Sequence, residues 1–180
     1  MRLFLAFALS DAVRGALEEV QAAFRRAGVR GSYTPPENLH LTLAFIGEYP
    51  DPEPVMDALQ NVHFRPVRLT LDRLGAFDSV WWAGLKENGE LQRLTEQLRR
   101  ALAEAGIPYD RKRFSPHITL IRSPRWERPV DLGAAAVRKC SMHADTVLLM
   151  RSTRGKHGMI YTPVGALPAG EAPETENDSE

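Results

Sequence analysis

Cysteine is almost absent from the sequence, since Cys140 is the only one among 180 residues. A single cysteine cannot form an internal disulfide framework, and it cannot build a cysteine-based zinc site. Both absences fit a protein of a reducing compartment, and we therefore predict a cytoplasmic location. The sequence also lacks a G-x-S-x-G stretch, which argues against a serine hydrolase whose nucleophile sits on a sharp turn.

Long hydrophobic runs are absent as well. No run approaches the roughly 20 apolar residues that a membrane-spanning helix needs, so we predict no membrane association. The apolar residues 3–9 are only as long as the shortest signal-peptide cores, and they lead directly into a charged helical pattern rather than a cleavage site. We interpret them as a buried first strand.

Net charge is also lacking, because 23 basic residues balance 23 acidic ones. Five of the acids lie in residues 171–180, which contain no base. The rest of the chain therefore holds 23 basic residues against 18 acidic ones, a formal charge of +5 that suits an anionic partner. The last residues contain no apolar type beyond alanine and proline, and we predict that residues 168–180 form a disordered acidic tail.

Apolar spacing divides the remaining sequence into ten elements in the order β-α-β-α-β-β-α-β-β-β. Ser10 precedes a helical pattern as its N-cap, and this helix ends at Gly28. Residues 51–62 are predicted to form a shorter helix, and a leucine repeat from Leu91 to Leu102 predicts another long one. The last two strands form a hairpin. The predicted strands are residues 3–9, 40–47, 67–77, 80–86, 117–123, 142–152 and 158–167.

Two of these strands begin with the same pattern of histidine, apolar residue, threonine and apolar residue. The first pair is His40 and Thr42, and the second is His117 and Thr119, 77 residues later. Residues i and i+2 of a strand point to the same face, so each strand presents an imidazole beside a hydroxyl and buries its apolar face. One such pair is usually structural, but two by chance have a probability of roughly a few per cent.

Two histidines without further ligands suit proton transfer better than metal binding. A zinc site needs three or four His, Cys or carboxylate ligands, and threonine is a poor one, so we predict no metal. Imidazole titrates near neutrality, so one histidine can be neutral while the other is protonated. Threonine hydroxyls can donate hydrogen bonds to an anion between them, and a phosphodiester needs a base on one side and an acid on the other.

The stretches "HLTLAFIG" and "FSPHITLIR" resemble the two signature motifs of the 2H phosphoesterases. They most resemble the bacterial and archaeal RNA 2′,3′-cyclic phosphodiesterases, once named 2′-5′ RNA ligases, and the likeness extends to about Leu167. The resemblance implies an α+β class and a single bilobal domain of residues 1–167, in which two antiparallel sheets line a central cleft and helices lie outside.

The resemblance also implies roles for individual residues. His40 would donate a proton to the leaving 3′ oxygen, and His117 would be the base for the attacking water. Thr42 and Thr119 would bind the non-bridging phosphate oxygens. Arg122 matches an arginine of the family that contacts the substrate phosphate, although strict alternation from His117 puts it on the opposite face. It must therefore sit at a strand end or a bulge.

The predicted activity is metal-independent hydrolysis of RNA 2′,3′-cyclic phosphate ends to 2′-phosphates, with reversible 2′-5′ ligation as the reverse reaction. No cofactor is expected, and the partners are RNA ends or nucleotide cyclic phosphates bound by a monomer. Two alternatives stay open. One is a cyclic phosphodiesterase for a small nucleotide, and the other is an RNA-binding protein without catalysis.

Other polar and aromatic residues near the motifs are open to two interpretations. The basic residues 111–113 either steer a polyanion into the cleft or form a solvated loop. Trp81 and Trp82 alternate faces, so we expect one in the core and one exposed for base stacking. Tyr33 and Phe114 flank the motifs and are weaker candidates for stacking on a base.

Overall fold

Nine strands, three α-helices and one 3₁₀ helix are formed by residues 1–170, the part of the chain that the computed structural model describes. The helices are α1 (Asp11–Arg26), α2 (Glu53–Ala58) and α3 (Gly89–Glu104), with the 3₁₀ helix at Pro36–Asn38. The strands are β1 (Arg2–Ala8), β2 (Arg30–Tyr33), β3 (His40–Glu48), β4 (Val67–Phe77), β5 (Val80–Leu85), β6 (His117–Arg125), β7 (Ser141–Ala144), β8 (Thr146–Gly155) and β9 (Gly158–Pro168).

The strands form two sheets in which every pair is antiparallel. One sheet has four strands in the order β3-β1-β8-β9, and the other has five in the order β2-β6-β5-β4-β7. Each sheet therefore contributes one of the two strands that begin with a motif histidine. The predicted α+β class with two antiparallel sheets is confirmed.

The two sheets are built from a repeated unit. In the first unit, β1 leads through α1 to β3 and pairs with it, and in the second β5 leads through α3 to β6 and pairs with it. Both helices have 16 residues, and each has a side chain that caps its first turn, Ser10 for α1 and Asn88 for α3. This repetition places His40 and His117 at equivalent positions.

The hydrophobic core fixes the orientation of both motif strands. The residues between and after the motif side chains, Leu41, Leu43, Ile118 and Leu120, are almost completely buried. Burying one such side chain contributes about 1.5–3 kcal/mol to stability, so turning either strand over would be strongly unfavourable. The histidine and threonine of each strand are consequently held on the face that points away from the core.

The structure differs from the predicted elements in three places. Residues 30–33 lie outside every predicted element but form β2, an exposed edge strand that lacks hydrophobic alternation. The single strand predicted at residues 142–152 is wrong, because the chain leaves one sheet after β7 and enters the other at β8, with Asp145 between them. The helix predicted at residues 51–62 is shorter, ending at Ala58.

The C-terminal boundary also differs from the prediction. Strand β9 continues to Pro168. The N–H of Ala169 then donates to the carbonyl of Asp145 at 2.6 Å, and the N–H of Gly170 donates to the carbonyl of Phe64 at 2.8 Å. Residues 168–170 thus belong to the hydrogen-bonded fold rather than to a tail. The rest of the predicted tail, residues 171–180, lies outside the described residues.

Candidate active site

The two motif strands open onto one cavity of about 370 Å³. His40 and Thr42 line it from the four-stranded sheet, and His117 and Thr119 line it from the five-stranded sheet. Because the sequence places these pairs 77 residues apart, the repeated unit of the fold is what brings them together. The structure thus presents two imidazoles and two hydroxyls to the same space.

Hydrogen bonds fix the orientation of the His40 ring. Its Nδ1 lies 2.6 Å from the carbonyl oxygen of Asn38, and its Nε2 lies 2.9 Å from the Thr42 hydroxyl oxygen. A carbonyl can only accept, so Nδ1 carries a hydrogen and Nε2 is the nitrogen that exchanges a proton at the cavity. The rings of Phe4 and Tyr161 pack beside the imidazole, each with its centroid 5.1 Å away.

His117 is held in the same manner on the opposite sheet. Its Nδ1 lies 2.7 Å from the carbonyl oxygen of Ser115, again two residues earlier in the chain. Among residues 1–170 no hydrogen bond occupies its Nε2, which is therefore available for a proton. Phe77 packs edge-on against the ring at 4.8 Å between centroids, and Trp82 lies at 6.3 Å.

A β-bulge brings Arg122 into the cavity. Along the pairing of β6 with β5, the register shifts after Thr119, so that Leu120 has no direct partner. Leu120 and Ile121 are consecutive buried residues, and the alternation of faces restarts beyond them. Arg122 consequently lines the cavity together with His117 and Thr119. Of the two positions that the sequence allowed for Arg122, a strand end or a bulge, the structure shows the bulge.

Strand β3 has the equivalent bulge. Its register with β1 shifts between Thr42 and Ala44, so that Leu43 has no direct partner. Phe45, which stands where Arg122 stands in the second unit, thereby lines the cavity. The guanidinium of Arg2 lies 5.1 Å from the centre of the Phe45 ring, an arrangement that favours a cation over the ring. The bulge thus helps to position a second arginine.

Several lining residues were missed by reasoning from the sequence. Arg2 and Phe4 come from β1, while Ser152 and Arg154 come from β8. The two members of each pair are two positions apart, so they point to the same face of their strand. The sequence of β1 and β8 therefore contained a signal, the alternation of faces, from which these residues could have been found. It could not be interpreted without knowing that β8 pairs with β1. The remaining lining residues are Thr34, Asn38, Met159 and Tyr161.

The charges around the cavity favour an anion. The lining from residues 1–170 includes the three guanidinium groups of Arg2, Arg122 and Arg154, and it includes no aspartate or glutamate. Burial lowers the pKa of His40, and the positive charges of Arg122 and His117 lower it further, while the bond to the Asn38 carbonyl opposes them. His40 is therefore mainly neutral at neutral pH in the protein without a bound anion.

An anion in the cavity should restore the proton of His40. We expect the pKa of His40 to lie below its ordinary value of 6.5 in the free protein and to rise when inorganic phosphate or 2′-AMP binds. Titration of the imidazole ¹⁵N shifts by NMR, with and without ligand, measures both values. His63 is exposed and does not line the cavity, so its signal reports non-specific effects. A pKa of His40 that ligand leaves unchanged would contradict this account.

The other predicted aromatic and basic residues lie elsewhere. Trp81 is buried in the core, while Trp82 is half-buried and lines a neighbouring cavity of about 880 Å³. Arg113 and Phe114 line that neighbouring cavity too, and not the one that holds the histidines. Tyr33 does not line the cavity either, and Arg25 lies over its ring at 4.1 Å.

Two further features are absent from residues 1–170. No three side chains of His, Cys, Asp or Glu are grouped there as the ligands of a metal ion would be. None of the helices within this range is both long and apolar enough to cross a membrane.

Two antiparallel sheets that each supply a His-x-Thr strand to one cavity define a 2H phosphoesterase fold. The sequence pattern of the 2′-5′ RNA ligase superfamily matches residues 9–156. This match covers most of the chain, and the chain belongs to that superfamily.

Relatives from two organisms agree with this assignment. The RNA 2′,3′-cyclic phosphodiesterase of Archaeoglobus fulgidus is 35% identical over 176 residues, which cover 93% of this chain and 96% of the relative. The protein of the same name from Thermus thermophilus is 39% identical over 204 residues, covering 97% and 99%. The structure of E. coli LigT complexed with 3′-AMP superimposes with a TM-score of 0.77 at 26% identity, covering 94% of this chain and 98% of LigT.

Proposed function

We propose that the protein hydrolyses RNA 2′,3′-cyclic phosphate ends to 2′-phosphates by acid-base catalysis between His40 and His117. One observation carries the proposal. The Nδ1–H of each imidazole donates a hydrogen bond to a backbone carbonyl two residues earlier. Both rings therefore present Nε2 to the same cavity. Two proton-transfer groups around an anion site are what the displacement at a phosphodiester needs.

The enzyme class predicted from the sequence agrees with the relatives. Proteins that match most of this chain, from both an archaeon and a bacterium, carry the name RNA 2′,3′-cyclic phosphodiesterase. The class of hydrolase is thereby confirmed. The paired-histidine mechanism and the reverse ligation reaction are our proposals for this chain.

Each sheet supplies one of the two proton transfers in the hydrolysis. His117 accepts a proton at Nε2 from a water molecule, whose oxygen forms a bond to phosphorus. As the bond between phosphorus and the 3′ oxygen breaks, His40 donates the proton on its Nε2 to that oxygen. His117 ends protonated and His40 neutral, and exchange with solvent restores the starting state. His117 is suited to act as the base because its Nε2 forms no hydrogen bond within residues 1–170. The hydrogen bond at its Nδ1 is exposed.

The hydroxyls and the arginine hold the phosphate between the imidazoles. Thr42 and Thr119 stand two residues beyond the histidines on the same faces and can donate to the non-bridging oxygens. Arg122 offers a charge-assisted bond to the same group. Burial keeps His40 neutral together with repulsion from Arg122 and His117, and the negative charge of the substrate offsets that repulsion, so substrate binding prepares the general acid.

Hydrolysis should survive removal of metal ions. Because the proposed acid, base and anion ligands are all side chains, we expect the turnover of an RNA with a 2′,3′-cyclic phosphate end to be unchanged by EDTA. The rate is measured before and after chelation, with a metal-dependent phosphodiesterase treated in parallel as the control. Loss of turnover in EDTA, with recovery on adding a divalent ion, would refute the two-histidine mechanism.

A further inference from the structure

We infer that a patch of arginines at the ends of β2 and β6 away from His117 binds the body of a single-stranded RNA whose cyclic phosphate end occupies the cavity. The arginine patch consists of Arg26, Arg30, Arg125, Trp126 and Arg128. This inference rests on the proposed function. It adds to that function that the substrate is an oligonucleotide held at a second site, rather than a free nucleotide.

The arginine patch is a concentration of charge that the fold leaves uncompensated. Its residues line a surface cavity of about 540 Å³ with four guanidinium groups and one carboxylate, that of Glu127. The ion pairs found within residues 1–170 include none of these arginines and not Glu127. Arg26 lies in the last turn of α1, where a cation stabilises the helix dipole, but the other three arginines have no such role.

Two of the arginines are placed directly opposite each other. Arg30 on β2 and Arg125 on β6 are partners in the antiparallel ladder. Like charges at such a position are destabilising, since the side chains start only about 5 Å apart. The repulsion is relieved when a polyanion lies across both, and phosphate groups are suited to this because guanidinium binds them in a bidentate manner.

Trp126 gives the patch a surface on which a base can stack. Its side chain is 49% exposed, which is unusual for a tryptophan next to so much charge. Its ring packs against that of buried Trp81, with 5.0 Å between the centroids, which restricts the positions that it can take. Such an aromatic ring among arginines is typical of surfaces that bind single-stranded nucleic acid, where stacking contributes about 1–3 kcal/mol per base.

The arginine patch is connected to the active-site cavity by two neighbouring strands. Along β6, Arg125 in the patch follows Arg122 in the cavity by three residues, which span at most about 10 Å. Thr34 in the cavity wall directly follows the edge strand β2, which begins with Arg30 in the patch. A short run of nucleotides spans this distance, so an RNA anchored by its end in the cavity can reach the patch.

The test compares two substrates that share a reacting group. One is a short single-stranded RNA with a 2′,3′-cyclic phosphate end, and the other is 2′,3′-cyclic AMP. In the patch variant Arg26, Arg30, Arg125 and Arg128 are all changed to Gln. In the matched control Arg65, Arg68, Arg93 and Arg100, which are exposed and lie outside both cavities, are changed to Gln.

We expect the patch variant to lower kcat/KM for the RNA at least about tenfold at low salt and to leave cyclic AMP turnover unchanged. The salt dependence for RNA should become less steep, by about one unit of log-log slope for each phosphate group that the variant no longer binds. The control variant should behave as wild type. Equal effects on both substrates, or equal effects of the patch and control variants, would overturn the inference.

Direct binding separates the patch from the catalytic proposal. RNA with a 3′-phosphate end is titrated by fluorescence anisotropy against the His117→Ala protein, with and without the four patch changes. A loss of affinity supports the patch even if neither substrate is turned over, in which case only the proposed function fails. Unchanged affinity overturns the patch. If an equal concentration of oligoglutamate peptide displaced the RNA, the inference would also be overturned, because the arginine patch would then bind acidic protein segments as well as RNA.

Discussion

Replacing His117 with alanine is expected to lower kcat by about 100- to 10,000-fold, which is the usual contribution of a general base. His40→Ala should have an effect of the same order, because each imidazole supplies one of the two proton transfers. The double variant should be only slightly slower than either single variant, since the two groups act in one step. The measurement is kcat on an RNA with a 2′,3′-cyclic phosphate end at saturating concentration.

The control for these substitutions is His63→Ala, which removes an exposed histidine that does not line the cavity and should leave kcat unchanged. Circular dichroism would check that each protein is folded, and the affinity for 2′-AMP would check that the cavity is intact. If either motif variant kept more than about a tenth of wild-type kcat, acid-base catalysis by the pair would be wrong. If the wild-type protein bound RNA but did not turn it over, the alternative of an RNA-binding protein without catalysis would be supported instead.

The sequence predicted the part of the candidate active site that depends on local geometry. His40 and Thr42 share a face of β3 because residues two apart in a strand always do, and the buried leucines behind them decide which face it is. The same reasoning placed His117 and Thr119. Ser10 was identified as the N-cap of α1 for an equally local reason, since its hydroxyl accepts a bond from the N–H of Val13.

The rest of the cavity depends on which strands become neighbours, and local patterns do not contain that information. Arg154 on β8 reaches the cavity because β8 pairs with β1 rather than continuing β7 in the other sheet. The change from one sheet to the other at Asp145 cannot be seen in the pattern of apolar residues. Strand β2 escaped prediction because Gly31 and Ser32 make it polar and exposed, although its pairing with β6 completes the arginine patch.

A single product is the second large effect that we expect, because the cavity is not symmetric for a cyclic phosphate. Either the 2′ or the 3′ oxygen can leave in free solution. In the proposed mechanism the base and its water define one side of the phosphorus, and the acid defines the other. An RNA held by its preceding nucleotides, as on the arginine patch, presents one ester oxygen to His40. If this is the 3′ oxygen, every turnover leaves a 2′-phosphate.

The most direct measurement is therefore the identity of the product formed from an RNA with a 2′,3′-cyclic phosphate end, followed by ³¹P NMR in the presence of EDTA. We expect only the resonance of a 2′-phosphate, and a product that resists a phosphatase specific for 3′-phosphates. The His40→Ala and His117→Ala proteins should leave the cyclic phosphate intact on the same time scale. A mixture of both isomers, a 3′-phosphate alone, or turnover that persists in both histidine variants would contradict catalysis by an oriented pair of imidazoles.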